Sequence, residues 1–464
     1  MATQPRALGR TGQVAFSVTI LSTILAVVSV LLTGPALGSV PALGSVPVLG
    51  SVPTVDGPPP GPIPSEYRPL SQKAPIPTPT GVDRAIGRLT QDPTVGALSM
   101  LVVDPVTGKE LFAEKPTKRR TPASVNKVLT AAAVLSSLGP LYRTTTKVTR
   151  QSDSVFLIGG GDPLMSRTKG TNSLKALAQA TADKLLASGT KSITLTYDDS
   201  LFTGPALGPG WKSSYPKLGV AAPVSALTVG AARVRPGASA RVDDPAQQSA
   251  QLFAQRLKKK GIAVRKIDRG KAPTVSVGVA SVQSETMAVA IDTMLTESDN
   301  DVAEILAHLV GVRVNGDGSF FGSSRAMTSV LASNGVNAAG LRLADGSGLS
   351  TKNRVSASAV AQVLTEMVRG DQPEWASIAT GLPVAGRTGT LEDRFDSKGT
   401  RAGADVIRAK TGSLTGVSSL AGTVLDESGR LLVFVMLGND VPSVYSARNT
   451  MDRIATKLAK CGCT

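Results

Sequence analysis

The sequence predicts a mixed α/β protein of the α+β type: an antiparallel sheet packed with helices, interrupted by an inserted α/β domain. Three observations carry that expectation. Apolar helices and strand hairpins occupy both ends of the folded region, before residue 145 and again after 285, whereas the stretch between them alternates short strands with helices. The 464 residues suffice for two or three domains and a sizeable core. A proline-rich stretch sets this region apart from an apolar N-terminal segment. The expected divisions are therefore an export segment over 1–38, a linker over 39–80, a discontinuous domain over 81–145 and 285–464, and an insert over 146–284.

At the N-terminus, Arg6 and Arg10 precede an uncharged, mostly apolar run over 14–32, 19 residues in all. That length spans a bilayer and equally suits a long signal peptide, so cleavage and retention as an anchor both stay open. Either one implies export, and the small residues of Ala36-Leu37-Gly38 offer a cut. No cysteine lies close after the run, so a lipid anchor on cysteine is not expected. Three hexapeptides, Pro-Ala-Leu-Gly-Ser-Val twice and Pro-Val-Leu-Gly-Ser-Val once, then fill 35–52. With the prolines of 57–62 and 75–79 they make a tether that lacks a core pattern.

The folded part begins near Val82 with a short helical stretch. A β-rich run over 96–103 turns at Asp104-Pro105-Val106-Thr107-Gly108 into Glu110-Leu111-Phe112. A helix then starts at Thr121, read as its cap, with Pro122 in the first turn. Val125, Val128, Leu129, Ala132 and Leu135 mark one buried face, and Gly139-Pro140 ends it. Between 145 and 284 the pattern gives strands at 155–158, 192–197, near 264 and at 275–282, and helices at 173–188 and 246–260. Gly159-Gly160-Gly161 lacks the Gly-Lys-Ser/Thr ending of a phosphate loop, and Lys258-Lys259-Lys260 reads as a solvated helix end. Helices at 287–295 and 301–310 flank a polar corner, Ser298-Asp299-Asn300, where Asp299 or Asn300 is suited to cap the second helix. A loop over 345–350, a helix over 356–369, a strand over 406–409, a hairpin over 417–437 and a last helix over 446–459 complete the chain.

Fifty Lys and Arg against 34 Asp and Glu leave a net charge of +16, which favours an anionic partner such as acidic lipid or a polyanionic wall. Aromatic residues are only 3% and the basic ones are scattered, so no nucleic-acid partner is expected. His308 is the single histidine and lies at helical spacing, so a Ser-His-Asp triad and a His/Cys zinc site are both disfavoured. No metal and no cofactor is expected. Cys461 and Cys463 enclose only Gly462; free thiols, a strained disulfide and a link to another chain all remain open.

Serine chemistry here must therefore run on lysine. Ser124 and Lys127 are three residues apart on one helical face, a nucleophile beside a base. Burial and a nearby positive charge would lower the lysine pKa enough for it to accept a proton. Ser-x-x-Lys alone is a weak signal, but Ser298-Asp299-Asn300 and Lys410-Thr411-Gly412 follow it in order. In that order the three resemble the motifs of the serine penicillin-recognising enzymes, above all the D-Ala-D-Ala carboxypeptidase/endopeptidase family of low-mass class C penicillin-binding proteins. Members of that family place an extra domain between the first two motifs, here 174 positions apart. Gly159-Gly160-Gly161-Asp162-Pro163, Tyr197-Asp198-Asp199, the run from Asp345 to Arg354 and Leu382-Pro383-Val384-Ala385-Gly386 also match. The likeness runs from about residue 80 to the end.

The resemblance implies a transpeptidase/β-lactamase-like catalytic domain in which Ser124 is acylated and Lys127 takes its proton. It also implies that Ser298 relays a proton to the leaving D-alanine and that Asn300 holds the substrate amide. Lys410 would lend positive charge, and the Thr411 and Ser413 hydroxyls would meet the terminal carboxylate. The N–H groups of Ser124 and Ser413 would form an oxyanion hole. Gly412 would leave room for the substrate along the strand. Arg387-Thr388-Gly389 mimics the third motif but follows a proline-containing loop, and it matches a different Gly-Thr-Leu segment of the family. Two departures stand out. The interval suits one inserted domain where relatives have two, and residues 200–242 hold no acid to receive a cationic stem-peptide side chain, while Trp211 to Lys217 is basic.

The expected protein is an exported serine D-Ala-D-Ala carboxypeptidase, with endopeptidase action as an extension. Its partners would be peptidoglycan stem peptides, inhibitory β-lactams, and the cell envelope through the N-terminal segment. A β-lactamase-type hydrolase is one alternative and needs a water-activating carboxylate. A non-catalytic wall-binding protein that relies on the +16 charge is the other.

Overall fold

The computed structural model describes residues 73–463. The apolar run at 14–32, the hexapeptide repeats, the boundary at 38 and most of the linker lie outside the described residues. Among the described residues, no helix is long and apolar enough to cross a membrane.

Helix α1 (Pro79–Thr90) is capped by Thr78, whose hydroxyl accepts the Gly81 N–H. Strands β1 (Ala97–Val103) and β2 (Glu110–Glu114) form the expected hairpin, and α2 (Asn126–Leu138) follows. The chain then builds a second sheet from β3 (Thr145–Gln151), β4 (Ser154–Ile158), α3 (Leu174–Ala187), β5 (Ser192–Asp198), the short α4 (Tyr215–Leu218), α5 (Pro245–Lys259), β6 (Ala263–Arg269) and β7 (Val277–Gln283). It returns through α6 (Met287–Thr296), α7 (Asn300–Asn315), α8 (Phe320–Ser333), α9 (Ala357–Arg369) and α10 (Ala376–Gly381). Strands β8 (Ile407–Leu414), β9 (Val417–Leu425) and β10 (Leu431–Asn439), then α11 (Val444–Ala459), close the chain.

The first sheet is antiparallel throughout, in the order β2-β1-β10-β9-β8, so its two chain ends meet where β1 pairs with β10. Both faces are covered, and period-two alternation divides the side chains between them. Val433, Val435 and Leu437 of β10 join a core with α2, α6, α7, α8 and α9, while Leu432, Phe434 and Met436 join another with α1 and α11. Covering on both faces explains why Leu431–Asn439 reads as an unbroken apolar run. β8 is the last strand of the sheet: the backbone of residues 383–385 bonds its outer side at Ile407 and Ala409, and from Lys410 onward that side is left for an extended chain to lie against.

The second sheet, in the order β6-β5-β4-β3-β7, is mixed: β4 pairs parallel with β5 and β5 with β6, while β3 pairs antiparallel with β4 and β7. It has its own core, in which Leu174, Leu177 and Phe253 from α3 and α5 pack on Leu157, Ile193 and Leu195. The caps of α3 are Ser173 and Ser188, the two ends predicted for it.

Helix α2 departs from its expected one-faced burial. Every residue from Val125 to Leu135 is buried, because α6, α7, α8 and α9 surround the helix. The repeated alanines Ala131, Ala132 and Ala133 let those neighbours approach from all sides.

Candidate active site

Ser124 lies in a single 3₁₀ turn, Ala123–Val125, that runs straight into α2 at Asn126. The serine thus precedes the helix, where the sequence placed it on the helix. Thr121 is not the cap. Its N–H donates to Asn439 Oδ1 (2.9 Å) and its carbonyl accepts from Asn439 Nδ2 (3.0 Å), which ties the turn to the end of β10. Ala123 has φ +48°, a strained left-handed conformation for a residue with a Cβ. Close packing on both sides holds it: a Cβ at Gly348 would lie 1.9 Å from the Ala123 carbonyl oxygen. From 121 to 135, Ser124 is the only residue that is not buried.

Lys127 is fully buried. Its Nζ lies 3.1 Å from Ser124 Oγ, 2.8 Å from Asn300 Oδ1 and 2.8 Å from the Ser347 carbonyl oxygen. Asn300 Nδ2 donates to the Val220 carbonyl at 2.8 Å, which turns Oδ1 toward the lysine. Burial brings the Lys127 pKa down to about 8, while Glu304, Asp345, Asp299 and Asp301 hold it up. No carboxylate pairs with it directly among the described residues. As a free amine it would keep two N–H bonds, to Asn300 and Ser347, and aim its lone pair at Ser124 Oγ, the one partner of the three with a proton to give.

The corner between α6 and α7 places Asn300 in this cluster. Asp299 caps α7, its carboxylate accepting the Val302 N–H at 3.0 Å, one of the two residues expected to do so. Ser298, with φ +56°, is partly exposed, and its hydroxyl makes no hydrogen bond among the described residues.

Strand β8 extends through the third motif, so Lys410, Thr411, Gly412 and Ser413 all lie on it. Lys410 is fully buried, and burial, then the positive charges of Lys127 and Arg394, push its pKa well down. Gly412 has a reason other than the one read from the sequence: a Cβ there would lie 2.8 Å from the Pro122 carbonyl oxygen and 3.1 Å from Ser124 N. The missing side chain lets β8 close on the Ser124 turn. Thr411 Oγ1 donates to Thr390 Oγ1 at 2.9 Å, while Ser413 is exposed at the open end of the strand.

Several contributors escaped the sequence reading. Glu304, one helical turn past Asn300 and buried, accepts the Gly346 N–H (3.1 Å) and the Ser347 N–H (2.7 Å). It thereby holds the loop whose Ser347 carbonyl meets Lys127. Burial, with Asp345 nearby, raises its own pKa to about 8. Asp345 accepts from Gly348 N, Ser350 N, Asn353 Nδ2 and Trp211 Nε1, and Asn126 Nδ2 donates to the Asp345 carbonyl. The run from Asp345 to Arg354 was noticed as a match, but its task, bracing Lys127, has no local signature. Thr390, of the Gly-Thr-Leu segment, could have been found from that same match.

The remaining candidates lie elsewhere. His308 is buried on α7 between Phe202 and Phe320, and burial brings its pKa down to about 4. Cys461 and Cys463 are joined by a disulfide. Among the described residues, no group of three or more His, Cys, Asp or Glu side chains could hold a metal ion.

The profile of the D-Ala-D-Ala carboxypeptidase 3 (S13) family matches residues 82–239 and 234–460. A carboxypeptidase of Mycobacterium tuberculosis is 35% identical over 420 residues, covering 88% of this chain and 90% of its own. A D-alanyl-D-alanine carboxypeptidase of an Actinomadura species is 28% identical over 465 residues, covering 81% and 84%. Among solved structures, penicillin binding protein 4 of Haemophilus influenzae superposes with a TM-score of 0.69 at 21% identity, over 82% of this chain and 99% of its own. The likeness to that structure is one of fold.

Proposed function

The chain belongs to the D-Ala-D-Ala carboxypeptidase 3 (S13) family, and from that premise we propose how its residues carry the reaction. It is a serine-type D-Ala-D-Ala carboxypeptidase of mixed α+β fold that acts on the peptidoglycan side of the membrane. Ser124 Oγ attacks the carbonyl carbon of the penultimate D-alanine while its proton passes to Lys127 Nζ. The N–H groups of Ser124 and Ser413 receive the oxyanion, each worth about 3 kcal/mol in sites of this kind. The C–N bond to the terminal D-alanine breaks, and that amine takes a proton through Ser298. Water then releases the acyl group from Ser124. Asn300 orients Lys127 and meets the substrate amide. Lys410, Thr411 and Ser413 receive the terminal carboxylate, and Gly412 keeps strand and nucleophile in contact.

One observation carries this reading. Of the three groups around Lys127 Nζ, two only accept hydrogen bonds and the third is the Ser124 hydroxyl. A β-lactam, which presents an acyl carbon to the same serine, would stay attached. We further propose that 146–284 is an inserted domain within a catalytic domain formed by 81–145 and 285–464. Residues 14–32 would deliver the protein through the membrane, either as a cleaved signal or as a retained anchor, with the proline-rich stretch from 39 to the approach of α1 as spacer. Incubating the purified protein with a stem pentapeptide ending in D-Ala-D-Ala tests the assignment. Release of free D-alanine, abolished by prior penicillin, is expected; intact pentapeptide after prolonged incubation contradicts it. Cleavage of a cross-linked dimeric stem would add endopeptidase action.

A further inference from the structure

The segment between β5 and α5 forms a strap bonded to the N-terminus of α7. Its Val220 carbonyl accepts from Asn300 Nδ2 (2.8 Å), and its Ala222 N–H donates to Asp301 Oδ1 (2.6 Å). Two residues of the α7 N-terminus therefore hold the two successive peptide groups on either side of Ala221. Further along the same strap, Arg241 donates from Nε and Nη2 to Asp301 Oδ2, both at 2.9 Å, while its own N–H bonds the Pro216 carbonyl (2.9 Å). Both side chains are nearly excluded from solvent, at 7% and 5% exposure. A buried, bidentate ion pair seldom contributes much net stability, because desolvating two charges offsets their attraction. What it does supply is geometry.

We propose that Arg241 and Asp301 are positioning residues that clamp the inserted segment to the α7 corner and thereby aim Asn300 Oδ1 at Lys127. The chain of contacts is continuous: Arg241 to Asp301, Asp301 to Ala222, Val220 to Asn300, and Asn300 to Lys127 Nζ. Without the clamp, the Asn300 amide loses the carbonyl that distinguishes its nitrogen from its oxygen. A flipped amide would set two donors against the lysine. The inference rests on the reading of Lys127 as the base of the reaction.

The pair also acts through charge. The groups that face Lys127 are Asp299, Asp301 and Glu304 from the α7 side, Asp345 from the loop and Lys410 from β8; Arg241 faces Asp301 from the strap. Burial and the neighbouring Asp299 push the Asp301 carboxyl up, and the Arg241 guanidinium opposes them. Removing Arg241 would leave the Asp301 carboxyl buried beside Asp299 without its counter-ion, so that carboxyl takes up a proton, its pull on Lys127 is lost and the acid limb of acylation moves to lower pH. Removing the Asp301 charge would leave Arg241⁺ and move the limb to lower pH. A purely structural pair would lower rates in both variants and leave both limbs in place.

The test is the pH profile of acylation of the purified protein by a chromogenic penicillin, for wild type, Asp301→Asn, Arg241→Met and Arg241→Lys. Expected are rates lower by about tenfold or more in the first two variants, as for a misplaced catalytic group. Their limbs should both shift to lower pH, and Arg241→Lys should restore the wild-type position. Limbs that stay in place, or move to higher pH, overturn the proposal. Should Arg241→Met fail to fold, the near-isosteric Asp301→Asn decides alone, a downward shift supporting and a fixed limb overturning it. Failure of the catalytic reading itself shows separately, as a wild-type protein that penicillin does not acylate at Ser124.

Discussion

Two tripeptides of nearly the same spelling lie little more than twenty residues apart, Arg387-Thr388-Gly389 and Lys410-Thr411-Gly412, and the fold treats them as opposites. The second lies along an edge strand, its lysine fully buried and its glycine pressed on the Ser124 turn. The first lies in a loop, its arginine side chain 66% exposed and paired with an exposed Asp405. Gly389, with φ +54°, packs against the Thr296 carbonyl, so this glycine serves a turn and not a cleft. A motif gains chemistry from what surrounds it: a dry site that depresses an amine pKa, and a strand edge beside the nucleophile.

Substitutions can be ranked by how far they should disturb that contrast. Lys410→Ala should lower acylation by penicillin about a hundredfold or more, the scale seen when a preorganised electrostatic group is removed. Stopped-flow acylation rates check it, and a change under threefold would place the charge elsewhere. Gly412→Ala comes next. Its Cβ would meet backbone of residues 122 and 124, and backbone yields less readily than a flexible side chain, so β8 should be pushed from the turn. A fall of about tenfold in acylation is expected, with about 1–3 kcal/mol lost in denaturant unfolding.

The pH dependence follows from Lys127. Its folded pKa is lowered from 10.5 to about 8, and it acts as a base only when unprotonated. Acylation should therefore rise through an acid limb near that value and fall about tenfold per pH unit below it. A limb near 10 would mean a solvated lysine. Smallest of all is Arg387→Lys, which spells a second Lys-Thr-Gly. Acylation should not change, and the substitution should not rescue Lys410→Ala. Rescue would mean that spelling outweighs place.

Much of this was legible before the coordinates. The α3 caps at Ser173 and Ser188, the end of α2 at Gly139 and the Asp299 cap are local signals, read by local chemistry. β3 was missed because its inward positions include Thr146 and Thr149 as well as Val148, which blunts the alternation. α8 was missed because Gly322, Ser323, Ser324 and Thr328 dilute its apolar stripe. The three motifs named Ser124, Lys127, Asn300 and Lys410, and the fold gathers them. Ser298 stands at the same corner with its hydroxyl unengaged, and Ser413 at the strand end. Glu304, Asp345 and the Arg241–Asp301 pair were not legible, since each acts on Lys127 across long stretches of chain. Thr121 misled because its backbone, tied to Asn439, serves β10 and not the helix.

The central claim is that a buried amine arms the Ser124 hydroxyl. Intact-mass and peptide mapping after penicillin exposure test it most directly, on wild type, Ser124→Ala and Lys127→Ala at equal concentration. The account predicts one adduct, on the peptide carrying Ser124, absent from Ser124→Ala and formed about 10²- to 10⁴-fold more slowly in Lys127→Ala. An adduct that persists in Ser124→Ala, or forms at the wild-type rate without Lys127, would contradict it.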